Sequence, residues 1–288
     1  MTTDEDINLL VLIIDTNPHA WATAANDPDQ PISFVDVLEH ILIFINAHLS
    51  LRFDSKLAII ASHSDTSRFL FPAPENDATG KQEADEAKKP ANTYKQFFDV
   101  NQRLVKEIKG MVRDDQNTRL ENRTMTAGSL SLAQTYINRV RRENEGASIQ
   151  SRILLVSISP DLPSQYIPTM NCIFAAQRLG TRIDVCRFGG RHYGSESVFL
   201  PQASHITGGT YLDVPEPRNL LQYLLYTFLP EPSIRNVLLL PSKEQLDFRA
   251  ACFCHKKVVD VGHVCSVCLS IFCSTHDVCP TCQTKFPT

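Results

Sequence analysis

What this chain has little of narrows it first. Glycine is scarce, at 11 of 288 residues. None falls in the loop after the first apolar run, Asp15-Thr-Asn-Pro-His-Ala20. A phosphate-cradling loop and a dinucleotide fingerprint both need glycine there, so this strand end carries neither. No G-x-S-x-G elbow is present to raise a serine nucleophile. Positive charge is not in excess: 28 basic against 32 acidic residues leave a formal net charge of −4. No overall field draws the chain to nucleic acid or to an anionic membrane. The longest apolar run, Leu9 to Ile14, falls far short of the ~20 residues that span a bilayer. The start, Met-Thr-Thr-Asp-Glu-Asp, lacks the basic region of a secretory signal, so a soluble intracellular protein is expected. Cysteine is nearly missing upstream of position 250, where Cys172 and Cys186 stand alone and are expected to be small buried hydrophobes.

What is present reads as a large α/β body and a small tail. The 43% hydrophobic and 21% charged composition is ordinary for a globular protein. Asn8 to Asp15 is a continuous apolar run, as in a strand covered on both faces. Ser33 to Leu51 has helical periodicity, with Ser33 as the cap and Asp36 three residues on. Lys56 to Ser62 and Ser67 to Phe71 are strands joined by too short a loop for a parallel crossover, so they form an antiparallel hairpin. Helices are expected at 94–112, 128–142, 166–179, 197–207 and 216–229. They alternate with strands at 152–158, 182–188 and 210–214. The order predicts a mostly parallel sheet with helices on both faces and one antiparallel edge strand. Segment 72–93 is poor in large apolar residues and reads as a mobile surface insertion. Gly189-Gly190 and Gly208-Gly209 are expected in turns or helix C-caps. The domains are thus expected at 1–230 and 251–286, with a linker at 231–250.

The remaining seven of nine cysteines crowd into positions 252–288. They form the run Cys252-x-Cys254-x10-Cys265-x2-Cys268-x4-Cys273-x2-His276-x2-Cys279-x2-Cys282. A piece of about 35 residues cannot bury a self-sufficient core and needs a metal instead. Thiolate pairs at this spacing, without a secretory signal, point to structural zinc rather than to disulfides. Four ordered pairs suggest a RING-like cross-brace. Pairs two and four then give one site of Cys265, Cys268, Cys279 and Cys282. Pairs one and three give a second of Cys252, Cys254, Cys273 and His276, with His255 and His263 as competing ligands. The basic residues of 251–288 are only Lys256, Lys257 and Lys285, too few to track a phosphate backbone. Protein docking is therefore the favoured use. A RING-type ubiquitin ligase with an A-type substrate-binding domain is the alternative, although the Cys-x-Cys step and the short Cys268-x4-Cys273 segment depart from the usual ligase pattern. Two helical stretches, Ile41 to Ile45 and Leu220 to Leu229, are more apolar than one buried face requires, and part of either is a candidate partner surface.

The acidic end of the first strand, the hairpin of strands two and three, and Asp161 after the fourth strand resemble a von Willebrand factor A domain. That family writes its metal-ion-dependent adhesion site as D-x-S-x-S, with a threonine and a second aspartate from later loops. Here the motif reads Asp15-Thr-Asn17-Pro-His19, so both serines are missing. Thr124 or Thr126 could supply the threonine and Asp161 the second aspartate. With both serines replaced, Mg²⁺ at Asp15 and Asp161 is not expected, and His19 favours softer metals over a hard cation. The segments Asp247-Phe-Arg-Ala-Ala-Cys-Phe-Cys-His255, Val264-Cys-Ser-Val-Cys-Leu-Ser-Ile-Phe-Cys273 and Leu200-Pro-Gln-Ala-Ser-His-Ile-Thr-Gly-Gly-Thr-Tyr211 narrow the resemblance further. Together they are similar to the smaller A-type subunit family of general transcription factor IIH, TFIIH. That resemblance implies a non-enzymatic nuclear scaffold. It pairs with the larger zinc-containing A-type subunit and with other core subunits, in transcription initiation and nucleotide excision repair. The Cys265, Cys268, Cys279 and Cys282 zinc site is also expected from it, with no sequence-specific nucleic-acid binding and no membrane contact.

Overall fold

A computed structural model describes residues 7–28, 30–72, 94–115, 121–188, 197, 199–214, 216–240, 252–255 and 259–286. The expected insertion at 72–93 lies outside them except for Pro72, as do Gly189-Gly190 and segment 241–251.

The elements run β1 (Ile7–Asp15), α1 (Pro18–Ala25), α2 (Phe34–Leu51), β2 (Lys56–Ser62), β3 (Ser67–Phe71), α3 (Lys95–Asp115), α4 (Thr126–Glu143) and β4 (Ile149–Ser157). After these come α5 (Tyr166–Arg178), β5 (Arg182–Arg187), α6 (Phe199–Thr207), β6 (Tyr211–Asp213), α7 (Leu220–Tyr223) and α8 (Pro232–Arg235). One six-stranded sheet has the order β3-β2-β1-β4-β5-β6, parallel throughout except for the β2/β3 hairpin. This is the A-type arrangement that the resemblance implies.

The apolar run of β1 is explained by its central place. Leu10, Leu12 and Ile14 point to one face and pack with α2, α3 and α7. Leu9, Val11 and Ile13 point to the other and pack with α4, α5 and α6. The period of two in a strand feeds two separate cores. The sheet's C-terminal strand ends are thereby held between two helical layers, which is where such sheets place their sites. Helix α2 is long and apolar enough by composition to cross a membrane, with mean hydropathy 1.5. Here Val37, Ile41, Phe44 and Ile45 bury its inner face against the sheet. Ser33 caps it, accepting a hydrogen bond from the Val35 backbone N–H at 3.2 Å.

Three features differ from the sequence-based expectation. The loop after β1 contains a two-turn helix, α1. Asn17 caps it through the His19 N–H, and Pro18 occupies its first turn. Trp21 anchors that helix, donating to the Asp15 carbonyl at 2.8 Å and lying 5.0 Å from the Phe34 ring. The single helix expected at 216–229 is composite. A 3-10 turn leads into α7, which widens into a π turn at Leu224–Phe228. The carbonyls that this leaves over are taken by two buried arginines. Arg152 reaches those of Phe228, Leu229 and Pro230, and Arg235 those of Phe228 and Pro230. Finally, the start of the segment expected as linker is packed into the body. Arg235 of α8 is buried and pairs with buried Asp184 at 2.8 Å.

The tail holds a two-stranded antiparallel ribbon, β7 (His263–Val264) with β8 (Ile271–Phe272), and a bridge between Val278 and Lys285. Its small core is Cys265, Cys268, Phe272 and Cys279, flanked by Phe253, Cys282 and Phe286.

Candidate metal centre

The tail is built on two copies of one turn. Cys265 N–H donates to the Ser270 carbonyl and Leu269 N–H to the Cys265 carbonyl, each at 2.9 Å. Fourteen residues on, Cys279 N–H donates to Thr284 at 2.9 Å and Gln283 N–H to Cys279 at 2.8 Å. Leu269 (φ 58°) and Gln283 (φ 59°) occupy the left-handed region at matching points. The strain this imposes on a side-chain-bearing residue is tolerated because the turn folds the second cysteine of each pair back toward the first. Each second cysteine also faces a hydroxyl: Ser270 Oγ lies 3.1 Å from Cys268 Sγ, and Thr284 Oγ1 lies 3.1 Å from Cys282 Sγ. These hydroxyls were not anticipated from the sequence. The repeated pattern C-x2-C-x-[ST] is the signal that points to them.

The two turns face one another. Cys265 and Cys282 sulfurs are 3.7 Å apart, and Cys268 and Cys279 sulfurs 3.6 Å. All four sulfurs lie within 4.8 Å of one another, and three of the residues are buried. Two thiolates on a tetrahedral ion with Zn–S bonds of about 2.3 Å sit ~3.8 Å apart, so the quartet already has the edges of such a tetrahedron. The Thr284 hydroxyl brings the Cys282 thiol down to about 6, and the Cys268 backbone N–H lowers Cys265. Burial instead pushes Cys268 up, to about 11. Hydrogen bonds to sulfur thus favour thiolate, the metal-binding form, at two corners. The cluster can hold a metal ion.

The second expected set is divided differently from the cross-brace pattern. The structure gathers Cys252 and Cys273 with His255, not with Cys254 and His276. His255 Nδ1 is 3.8 Å from Cys252 Sγ and 3.4 Å from Cys273 Sγ. Cys254 and His276 face each other at 3.9 Å beside this trio. The reason is local: residues 253–255 form a tight turn, which closes position i onto i+3. Cys252-x2-His255 therefore acts as a pair, with the same step as Cys265-x2-Cys268. His263 lies on the exposed β7 and joins neither group. Burial pushes the Cys252 thiol up. The His255 backbone N–H and ring, with the Cys254 and Cys273 N–H groups, outweigh it and hold the thiol at about 6.

The worn adhesion site lies at the other end of the argument. Asp15 is buried, and its carboxylate accepts from the backbone N–H groups of Asn17, Ile158 and Ser159 at 3.1, 3.2 and 2.9 Å. It braces the loops after β1 and β4. Asn17, standing where a serine would be, donates to Ser159 Oγ and Asn122 Oδ1. Thr124 is tied to Ser62 Oγ at 2.9 Å. Asp161 accepts from Ser197 Oγ and from the Phe199 N–H at 2.8 Å, at the start of α6. The space among Thr124, Thr126, Ser159 and Asp161 is about 20 Å³, room for roughly one water. Asp15, Asn17, Thr124 and Asp161 thus each have a structural task.

The tail and the rim meet. Phe253, in the turn between Cys252 and His255, places its ring edge-on to Tyr166 at 4.5 Å. It stacks near Phe199 at 6.1 Å. Tyr166 begins α5 and Phe199 begins α6, directly beside Asp161.

This pairing of an A-type body with a cysteine tail is matched over the same span by a known family. The model of transcription factor Tfb4 matches residues 7–283. The chain belongs to the Tfb4 family. Among curated proteins, it is 43% identical to the general transcription and DNA repair factor IIH subunit tfb4 of Schizosaccharomyces pombe, over 98% of this chain and 91% of that one. It is 37% identical to the TFB4 subunit of Arabidopsis thaliana, covering 98% and 90%. Among solved structures, the crystal structure of the TFIIH p34 N-terminal domain superposes with a TM-score of 0.62 at 34% identity, covering 79% of this chain and all of that one. In this Tfb4-family member the p34 match thus reaches the body, while the family model runs on through Cys279 and Cys282.

Proposed function

We propose that this protein is a non-catalytic structural subunit of TFIIH, serving transcription initiation and nucleotide excision repair in the nucleus. The observation that carries this reading is the joint one. The chain has the body and the tail of the Tfb4 family over nearly its whole length, and the rim where an A-type domain would bind a cation is given over to bracing its own loops. Cys265, Cys268, Cys279 and Cys282 hold zinc in a closed tetrahedron, the structural type, with no open position for chemistry. An ion of this kind contributes on the order of 10 kcal/mol at neutral pH, enough to order a tail whose own core is four residues. The A-type body runs from the N-terminal region through α8, since Arg235 is locked into it, and the zinc module begins at about 251. The main partner is the larger, zinc-containing A-type subunit of the same complex, with further contacts to other core subunits.

Co-expression with that larger subunit tests the assignment. A stoichiometric complex that survives 0.5 M salt is expected, together with zinc retained by this chain. Recovery of this chain alone, or robust zinc-dependent self-ubiquitylation with a panel of conjugating enzymes, overturns it in favour of the ligase reading.

A further inference from the structure

We propose a second metal site, formed by Cys252, His255 and Cys273, that latches the tail onto the A-type body through Phe253. It rests on the zinc reading of the four-cysteine cluster and goes beyond it in ligands and in task.

The three primary ligand atoms lie within 4.8 Å of one another. The separations of 3.8 and 3.4 Å between His255 Nδ1 and the two sulfurs bracket the ~3.6 Å edge that follows from Zn–N of about 2.0 Å and Zn–S of about 2.3 Å in a tetrahedron. Cys273 N–H also donates to Cys252 Sγ at 3.3 Å, so one ligand's backbone already supports another's sulfur. Such outer support is a regular companion of metal thiolates. Cys254 is exposed and has His276 Nε2 at 3.9 Å, and the two stand together beside the trio. The His276 Nδ1 is engaged with the Ser274 carbonyl at 2.9 Å, which leaves Nε2 facing Cys254. Two thiolates and an imidazole, with a fourth donor from this neighbouring pair, make a closed structural site for zinc.

The task follows from position. Cys252 and His255 flank Phe253 in the chain, so an ion held by them fixes the backbone on both sides of that ring. Phe253 N–H is hydrogen-bonded to the Ile271 carbonyl at 2.9 Å, which joins the same turn to β8. The ring is then presented outward to Tyr166 and Phe199. The four-cysteine ion orders the interior of the tail, whereas the second ion sets how the tail sits on the body.

The test is metal content of the full-length chain, purified without chelator and measured by plasma mass spectrometry. Two equivalents of zinc are expected in the wild type. One is expected in H255A and in C273S, and two remain in H263A. H255C guards against a general folding defect: it should restore the second equivalent and give an all-thiolate cobalt spectrum where the wild type shows a mixed one. Hydrogen exchange at the first turn of α5, around Tyr166, reads the latch and should quicken at least tenfold in H255A. One equivalent in the wild type that C268S abolishes would sink the second site and leave the four-cysteine site standing. Two equivalents in H255A would also overturn it, and unchanged exchange at α5 would remove the latch.

Discussion

Two arginines and one histidine show how single buried charges govern this body. Arg152 and Arg235 are both nearly inaccessible, and Asp184 forms an ion pair with Arg235. Burial and the neighbouring Arg235 lower Arg152 to about 10, while Asp184 and Glu231 oppose that shift. The remaining compensation comes from the carbonyls at the end of the π turn, which carry the negative end of the helix dipole. Removing one partner of such a set leaves the others buried and unpaired. R235A should therefore cost about 3–5 kcal/mol, read as a lower urea midpoint. His48 presents the opposite case. It is fully buried on α2, and burial, with Arg152 nearby, lowers its pKa from 6.5 to about 4, against a smaller opposing pull from the Lys56 backbone. The folded value lies below the unfolded one, so the unfolded chain binds the extra proton between them. The stability lost as pH falls from about 6.5 to about 4 should reach roughly 3 kcal/mol. Urea midpoints across that range should fall more steeply for the wild type than for H48L. Equal slopes would mean that His48 is not the group responsible.

At the level of elements, the turn from α6 to β6 depends on two adjacent glycines with different duties. Gly208 takes φ +70°, the left-handed close of a helix. Gly209 lies against the β5 backbone, where a Cβ would sit 2.0 Å from the Ile183 carbonyl oxygen. G209A should cost about 3 kcal/mol by forcing β5 and β6 apart, and G208A about 1 kcal/mol, both read as thermal midpoints. The glycine pair was legible as a C-cap, and β1 and α2 were legible because their periods of 2 and 3.6 match the faces they bury. The missed pieces are those without a period. Helix α1 has eight residues of mixed character and is held by a cap and one tryptophan. The end of the π turn is held by Arg152, 76 residues away in sequence, together with Arg235, and no local period announces such a contact. In the tail, the four cysteines that the cross-brace pattern groups are also four whose sulfurs the fold brings together, on two turns of the same design. His255, a competing ligand in the sequence, lies with Cys252 and Cys273 because a turn closes Cys252 onto it, whereas a cross-brace pattern counts ligands in order and ignores which residues a turn brings together. The twin turns make their own prediction. T284V keeps the shape but removes the hydroxyl 3.1 Å from Cys282 Sγ. Zinc affinity, measured by chelator competition, should fall about tenfold, in keeping with the usual effect of losing a partner behind a metal ligand.

For the whole molecule, the seat of the tail decides which faces remain for a partner. Phe253 covers the corner where α5 and α6 begin, on the same side of the sheet as the Asp15 and Asp161 loops. An A-type domain ordinarily offers that rim to its ligand; here the chain's own tail occupies part of it. An apolar surface that stays open among the described residues lies between α2 and α7. His40, Leu221, Leu225 and Tyr226 line a shallow groove there, with Ile43 one helical turn from His40. The inner residues of both helices, Ile41, Ile45, Leu220 and Leu224, are spent on the core. Ile43 and Tyr226 remain 47% and 44% exposed. Of the apolar excess noted in the sequence, this outer strip is the portion free to be covered. A partner docking on it would bury aromatic and aliphatic groups at its centre, where truncation typically costs 2 kcal/mol or more. I43D and Y226D should each weaken co-purification with the larger A-type subunit at least about tenfold, while the thermal midpoint of the isolated chain stays within about 1 °C, since neither side chain packs in the core. F253A separates this face from the other. It should loosen the tail from the body, read as faster exchange at Tyr166, and leave binding through the α2–α7 groove intact. If F253A abolished partner binding and I43D did not, the rim and its tail would be the docking surface instead.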